Sequence, residues 1–180
     1  MIPQEKIEEF FAEIKNDNLK KHMKAVAVIM EKLAEKLGKD KEIWKLVGLL
    51  HDIDYEKVDM NEHGLLSAKL LENYLPEEAI NAIRAHNELT GYKAKNDIDF
   101  ALRASDAISG LIVASALVMP NKKLKEVRVE TLKNKFKDKS FARRVDRNRI
   151  KECEKIGLSL EEFFELSLKA MKEIDEELGL

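Results

Sequence analysis

At 180 residues the chain has the size of one domain, and such a chain buries about 70 % of its unfolded surface without help from a disulfide or a structural metal. A formal net charge of −2, with 37 % of residues charged and both signs mixed, argues against a globally basic nucleic-acid binder, and the single cysteine, Cys153, excludes an internal disulfide. No window reaches the ~18 apolar residues of a membrane span, and the N-terminus lacks a signal peptide's apolar core, so a reduced, cytoplasmic setting is expected.

Three prolines, seven glycines and an abundance of Lys, Glu, Leu and Ala predict an all-α protein. Pro3 suits the first turn of a helix carrying Phe10, Phe11 and Ile14. Asn18 is placed to cap the next helix, whose Leu19, Met23, Val26, Met30, Leu33 and Leu37 recur every three or four residues, with Gly38 as its left-handed stop. His22 sits one turn in. A third helix is predicted over 41–52, burying Ile43, Trp44, Val47 and Leu50, and ends in His51-Asp52. After an acidic and polar loop, His63-Gly64 opens a short helix, and Pro76-Glu77-Glu78 opens another that ends at His86. A long helix over 97–118 is apolar on most sides, which marks it as central, with Asp106 in its middle. Residues 122–149 turn basic. A helix near 146–156 stops at Gly157, and the capping box Ser159-Leu160-Glu161-Glu162 starts a last amphipathic helix. The expected organisation is one domain over 1–180, with a core at about 18–118 and a helical extension over 119–180.

The four histidines, at 22, 51, 63 and 86, stand with Asp52 and Asp106 in the order His, His-Asp, His, His, Asp. Each is a possible N/O ligand on or beside a predicted helix. A lone histidine in a helical protein is usually a packed or surface residue. An aspartate among Ala104, Ala107 and Ile108 is different, because a buried carboxylate is costly unless it is paired or bound to a cation. Arg103 offers the plainer explanation, an ion pair. Adjacent helical residues point ~100° apart, so His51 and Asp52 share one ion only where the helix ends and its backbone relaxes. The chain has no His-Glu-x-x-His and no cysteine cluster, which argues against a zincin or a structural zinc site.

This pattern, from about Asn18 to Gly110, resembles the HD superfamily of metal-dependent phosphohydrolases. The segment 101–112 and the downstream Lys135-Phe136-Lys137-Asp138-Lys139-Ser140-Phe141-Ala142 look like small stand-alone microbial HD proteins of unassigned substrate. The resemblance implies an HD-type helical bundle around one or two divalent ions. In it, His22, His51, Asp52 and Asp106 hold the first ion, and Asp52 bridges to a second held by His63 and His86. Mixed imidazole and carboxylate ligands suit Fe, Mn, Co or Ni, with Zn or Mg admissible. The implied reaction is metal-assisted hydrolysis of a small phosphate ester, a nucleotide foremost, with Asp52 at its centre. Asp54 and Glu56 are candidates to orient the attacking water, Lys57 to meet the phosphate, and Arg84, Asn87 and Arg147 to bind substrate. Nucleic acid and membrane are not expected as partners, and a homodimer is left open. The HD-Ile-Gly subgroup has Gly where this chain has Asp54, and the Gly-Tyr-Pro element of cyclic-di-GMP phosphodiesterases is missing. The same ligand order occurs in di-iron oxygenases such as inositol oxygenase, which keeps an oxygenase, and a non-catalytic nucleotide-binding regulator, as alternatives.

Overall fold

The computed structural model describes residues 2–180, of which helices take up the bulk: 67 % of the chain is helical and no strand occurs among the described residues. Ten α-helices follow one another: α1 (Gln4–Glu13), α2 (Asp17–Leu37), α3 (Lys41–Leu50), α4 (Leu65–Leu71), α5 (Glu77–Ala85), α6 (Asp97–Leu117), α7 (Val129–Lys137), α8 (Arg147–Lys151), α9 (Leu160–Lys172) and α10 (Asp175–Leu178). Short 3-10 turns at Glu88–Thr90, Leu124–Glu126 and Glu152–Ile156 join some of them.

Two 21-residue helices organise the bundle. The predicted stripe of α2 is buried, from Leu19 through Met23, Val26 and Met30 to Leu33. The helix ends at Gly38, whose φ of 64° lets its N–H reach back to the carbonyls of Ala34 and Glu35. Its cap is Asn16 rather than Asn18: the Asn16 side chain accepts from the N–H groups of Asn18 (2.9 Å) and Leu19 (3.3 Å), which places Asn18 inside the first turn. α6 packs against α2, α3, α5, α7, α8 and α9 and buries residues on most of its circumference, as its all-round apolarity predicts. By length and composition it also qualifies as a membrane span, contrary to the reading of the sequence, but 56 % of its apolar window is buried inside the bundle.

α3 lies tightly on α2. A Cβ at Gly48 would stand 2.8 Å from the Cα of Ala27 and 2.9 Å from the carbonyl of Val26, so only glycine allows this approach. α3 stops at Leu50, two residues earlier than expected, and His51 takes its C-cap. The basic stretch 122–149 contains a helix that its lysines hide from the eye, α7, which buries Leu132 and rests on α6 and α9. The predicted helix over 146–156 begins as α8 and tightens into the 3-10 turn Glu152–Ile156 before Gly157 (φ 86°). A single apolar cluster runs through the chain from Ile2 to Leu178.

Candidate metal centre

The bundle brings all six predicted ligands to one cleft of about 450 Å³, which His22, Asp52, His63, His86 and Asp106 line, with His51 buried beneath. Asp52 is the hub. Its Oδ1 lies 3.2 Å from His51 Nε2, 3.1 Å from His63 Nε2 and 3.3 Å from His86 Nε2, and its Oδ2 lies 3.5 Å from His22 Nε2. Asp106 Oδ1 stands 3.1 Å from His22 Nε2. Two groups result in which every ligand atom is within 4.8 Å of the others: His22, His51 and Asp52, and Asp52, His63 and His86. They share Asp52.

Each histidine turns the same nitrogen inward because the other is held from behind. His51 Nδ1 donates to the carbonyl of Gly48 (2.8 Å) and His86 Nδ1 to that of Ile83 (2.5 Å), both within their own last helical turns. His22 Nδ1 donates to Ser109 Oγ (3.2 Å), whose own hydrogen goes to the carbonyl of Asp106 (2.8 Å). His63 Nδ1 donates to Asp54 Oδ1 (2.8 Å). This fixes four tautomers and leaves four Nε2 atoms facing one another, the arrangement by which second partners orient metal-binding imidazoles.

Two observations test the fit to a metal. His51 Nε2 is fully buried and has no hydrogen-bond partner among the described residues. Burial holds its imidazole down to about 4, against the pull of Asp52, so at neutral pH it points a lone pair at the hub. His63 Nε2 and His86 Nε2 are 3.0 Å apart, too close for two lone pairs to face each other. A cation or a proton must lie between them, and nitrogens ~2.0–2.1 Å from a common ion stand ~3 Å apart. Without a metal, a proton on His63 supplies the positive charge: burial disfavours it, but the hydrogen bonds that His63 donates to Asp52 and Asp54 outweigh burial and raise the imidazole to about 9. The same balance governs the acids. Burial would raise Asp52, yet His51, His63 and His86 hold it well below the usual carboxylate range. Burial opposes ionisation of Asp106 too, and the hydrogen bond from His22 carries it to about 2. His22 rises in turn, Asp106 overcoming its burial. The residues fit a divalent cation, which would replace these protons with fixed positive charge.

The other candidate residues go to different places. Asp54 is fully buried behind His63, where its Oδ2 accepts from the N–H groups of Gly64 (2.8 Å) and Ser67 (2.9 Å), and its own N–H reaches Ser67 Oγ (3.2 Å). It touches His63 and does not line the cleft. Glu56 accepts from the N–H of Lys15 (2.8 Å) and Lys57 pairs with Glu13, so both tie the loop after α3 to the end of α1. Arg84 pairs with Glu77 (2.7 Å) and lies over the Tyr92 ring. Arg147 donates to the carbonyls of Lys135, Phe136, Asp138, Phe141, Ala142 and Val145, holding the basic loop closed. Asn87 does line the cleft, and its Nδ2 donates to the carbonyl of His63 (2.9 Å). Arg103 is not the partner of Asp106: it pairs with Glu88 (2.7 Å) and Glu152 (2.9 Å). Asp106 is itself only partly buried, its side chain 24 % exposed.

Several contributors escaped the sequence reading. Gly64 has a φ of 92°, and a Cβ there would stand 2.8 Å from the carbonyl of Ile83 and 3.1 Å from the His86 ring, so its bareness lets the two histidine-bearing turns touch. Ser109 lies one helical turn after Asp106, a spacing that could have suggested a shared face. Arg149, 3.5 Å from Asp106, and Tyr55, Met60, Leu19 and Asn16 complete the cleft wall.

Residues 19–117, more than half of the chain, match the HD domain family. The chain belongs to that family, whose members are generally metal-dependent hydrolases and bind divalent metals. Among curated proteins it is similar to Ribonuclease Y of Desulfotalea psychrophila, 33 % identical over 132 residues, covering 69 % of this chain and 25 % of that protein. It is also similar to Ribonuclease Y of Lawsonia intracellularis (33 % over 121 residues, 65 % of this chain and 22 % of that one). Ribonuclease Y of Aquifex aeolicus is 38 % identical over 84 residues, 44 % of this chain and 15 % of its own length. The chain thus spans a quarter or less of these relatives. No solved structure matches it significantly.

Proposed function

We propose that the chain is a metal-dependent phosphohydrolase acting on a small phosphate ester, with a nucleotide as the leading substrate class. The observation that carries this reading is Asp52 shared between two histidine clusters, each with its imidazoles locked in the ligating tautomer. His22, His51, Asp52 and Asp106 would hold one ion, and Asp52, His63 and His86 a second. Fe, Mn, Co or Ni suit this donor set best, and Zn or Mg are admissible. Bound there, such ions lower the pKa of a water and offset the charge that builds on phosphate oxygens.

The chain's own groups prepare the rest. Asp52 and Asp106 are held ionised and supply the negative charge that two dications need. Asp54 keeps His63 from turning, a positioning role in place of the water-orienting role expected for it. Leu19, Tyr55 and Met60 form an apolar wall beside the polar floor, with Tyr55 47 % and Met60 49 % exposed, while Asn16 and Asn87 add amide groups. A flat base with polar edges suits that wall.

The name of the relatives favours a second reading, a phosphodiester in RNA, although the aligned part is a small share of their length. One assay separates the readings. The protein, loaded with Mn, Fe, Co or Ni under strictly anaerobic conditions, is offered nucleoside phosphates and a labelled RNA oligonucleotide. Release of phosphate or nucleoside supports the main reading. Cleavage of RNA alone moves the assignment to the second. Silence without oxygen and oxygen uptake with a polyol identify an oxygenase, and calorimetric nucleotide binding without turnover identifies a regulator.

A further inference from the structure

We infer that Arg149 is the phosphate anchor of this cleft, supplied by the part of the chain that lies outside the HD match. The inference rests on the hydrolase reading above and adds the residue that receives the substrate's anionic group. α8 packs on α6 and brings residue 149 beside Asp106, next to the histidine cluster. Arg149 is the one arginine or lysine among the residues that line the cleft.

Its guanidinium is placed but not consumed. Nη1 stands 3.5 Å from Asp106 Oδ2 and Nε 3.9 Å from Glu88 Oε1, both beyond the ~2.7–2.9 Å of a charge-assisted hydrogen bond. Among the described residues its side-chain N–H groups make no hydrogen bond, whereas Arg147, on the same helix, gives its own to six carbonyls. Arg103 is likewise occupied, by Glu88 and Glu152. The Arg149 side chain is 19 % exposed, enough for a ligand to reach it and little enough to hold its position. A guanidinium offers two parallel donors to a phosphate, and here it offers them beside the ligand carboxylate Asp106. The lysine and arginines expected from the sequence to meet phosphate, Lys57, Arg84 and Arg147, are all paired elsewhere.

The competing role for Arg149 is that of a counter-charge for Asp106, and the two roles separate by experiment. Metal-loaded wild type is compared with Arg149→Ala, Arg149→Lys and, as a control for bulk charge, the exposed neighbour Arg144→Ala. Three quantities are read: bound metal, the affinity for inorganic phosphate by calorimetry, and KM and kcat on a phosphate ester. Arg149→Ala is expected to keep its metal, to bind inorganic phosphate about 10- to 100-fold more weakly and to raise KM by a similar factor. Arg149→Lys should fall between, since it keeps the charge and the stem but loses the two-pronged contact; it also decides the matter if truncation disturbs α8. Arg144→Ala should match wild type. Unchanged phosphate affinity in both Arg149 variants, or a loss of metal with phosphate affinity intact, overturns the inference. If wild type turns over no phosphate ester, the hydrolase reading fails, while the phosphate-binding arm still decides the role of Arg149.

Discussion

The two histidine clusters share one carboxylate and are otherwise built on different plans. His22 and Asp106 project from within the two longest helices, and their side chains are 27 % and 24 % exposed. His63 and His86 come from the ends of short elements and are almost wholly buried, at 6 % and 3 %. The open cluster is held by helix packing, with a serine hydroxyl behind His22. The buried cluster is held by a carboxylate behind His63 and by a glycine that admits His86. A carboxylate partner makes an imidazole a better ligand than a hydroxyl does. Both halves line the cleft, and His51, the third imidazole of the less buried cluster, lies beneath it. On the proposed reading, the half with a carboxylate behind its histidine would hold a cation more tightly, and the more exposed half would leave more room for a substrate oxygen.

Substitutions can break or sharpen this contrast. The largest effect is expected from Asp52→Ala, which removes the only group common to both clusters. Turnover on any identified substrate should fall ~10³-fold or more, because on the proposed reading bound metals would supply several kcal/mol of transition-state stabilisation. The helical circular dichroism should persist, since the apolar core does not depend on the cleft. Gly64→Ala comes next and strikes the buried half alone. A side chain there must adopt a φ of 92° and press on the carbonyl of Ile83. Denaturant titration should show a loss of about 1–3 kcal/mol, and the His63–His86 cluster should lose metal before the open one.

Asp54→Asn and Ser109→Ala test the two supports against each other. Asp54→Asn should weaken metal binding at the buried cluster about 10- to 100-fold, as second-partner losses do. Ser109→Ala removes one neutral hydrogen bond worth about 1 kcal/mol, so the open cluster should weaken only several-fold in a metal titration. Equal effects would mean that the carboxylate confers no advantage.

The smallest effect lies outside both clusters. Burial pushes the Cys153 thiol up to about 12, so a thiol reagent at pH 8 should not label the folded chain. Because the unfolded thiol ionises first, near 9, raising the pH from about 9 toward 12 favours unfolding by this group; below 9 it contributes no pH dependence.

That these six residues would come together was legible because histidine is rare in this chain and each histidine falls on or beside a predicted helix, with Asp52 adjacent to one of them and Asp106 in an apolar helix. α2 and α6 were legible because their apolar patterns are long, with Gly38 stopping α2, and the shorter α5 because Pro76 marks its start. Asp54 was not, because a carboxylate in a polar loop looks the same whether it faces water or the back of His63. Lys57, Arg84 and Arg147 were assigned to substrate by position, yet each finds an intramolecular partner that sequence spacing does not reveal. Arg149 was one basic residue in a basic run; only the packing of α8 on α6 sets it apart. Gly48 and Gly64 look like ordinary helix glycines until the neighbouring backbone is seen.

The most direct measurement is the number of metal ions per chain after anaerobic reconstitution, in wild type, His63→Ala and Asp52→Ala. The shared-carboxylate arrangement predicts about two ions in wild type, about one in His63→Ala, where the open cluster survives, and essentially none in Asp52→Ala. Wild type that binds no stoichiometric metal, or Asp52→Ala that keeps the full complement, would contradict it.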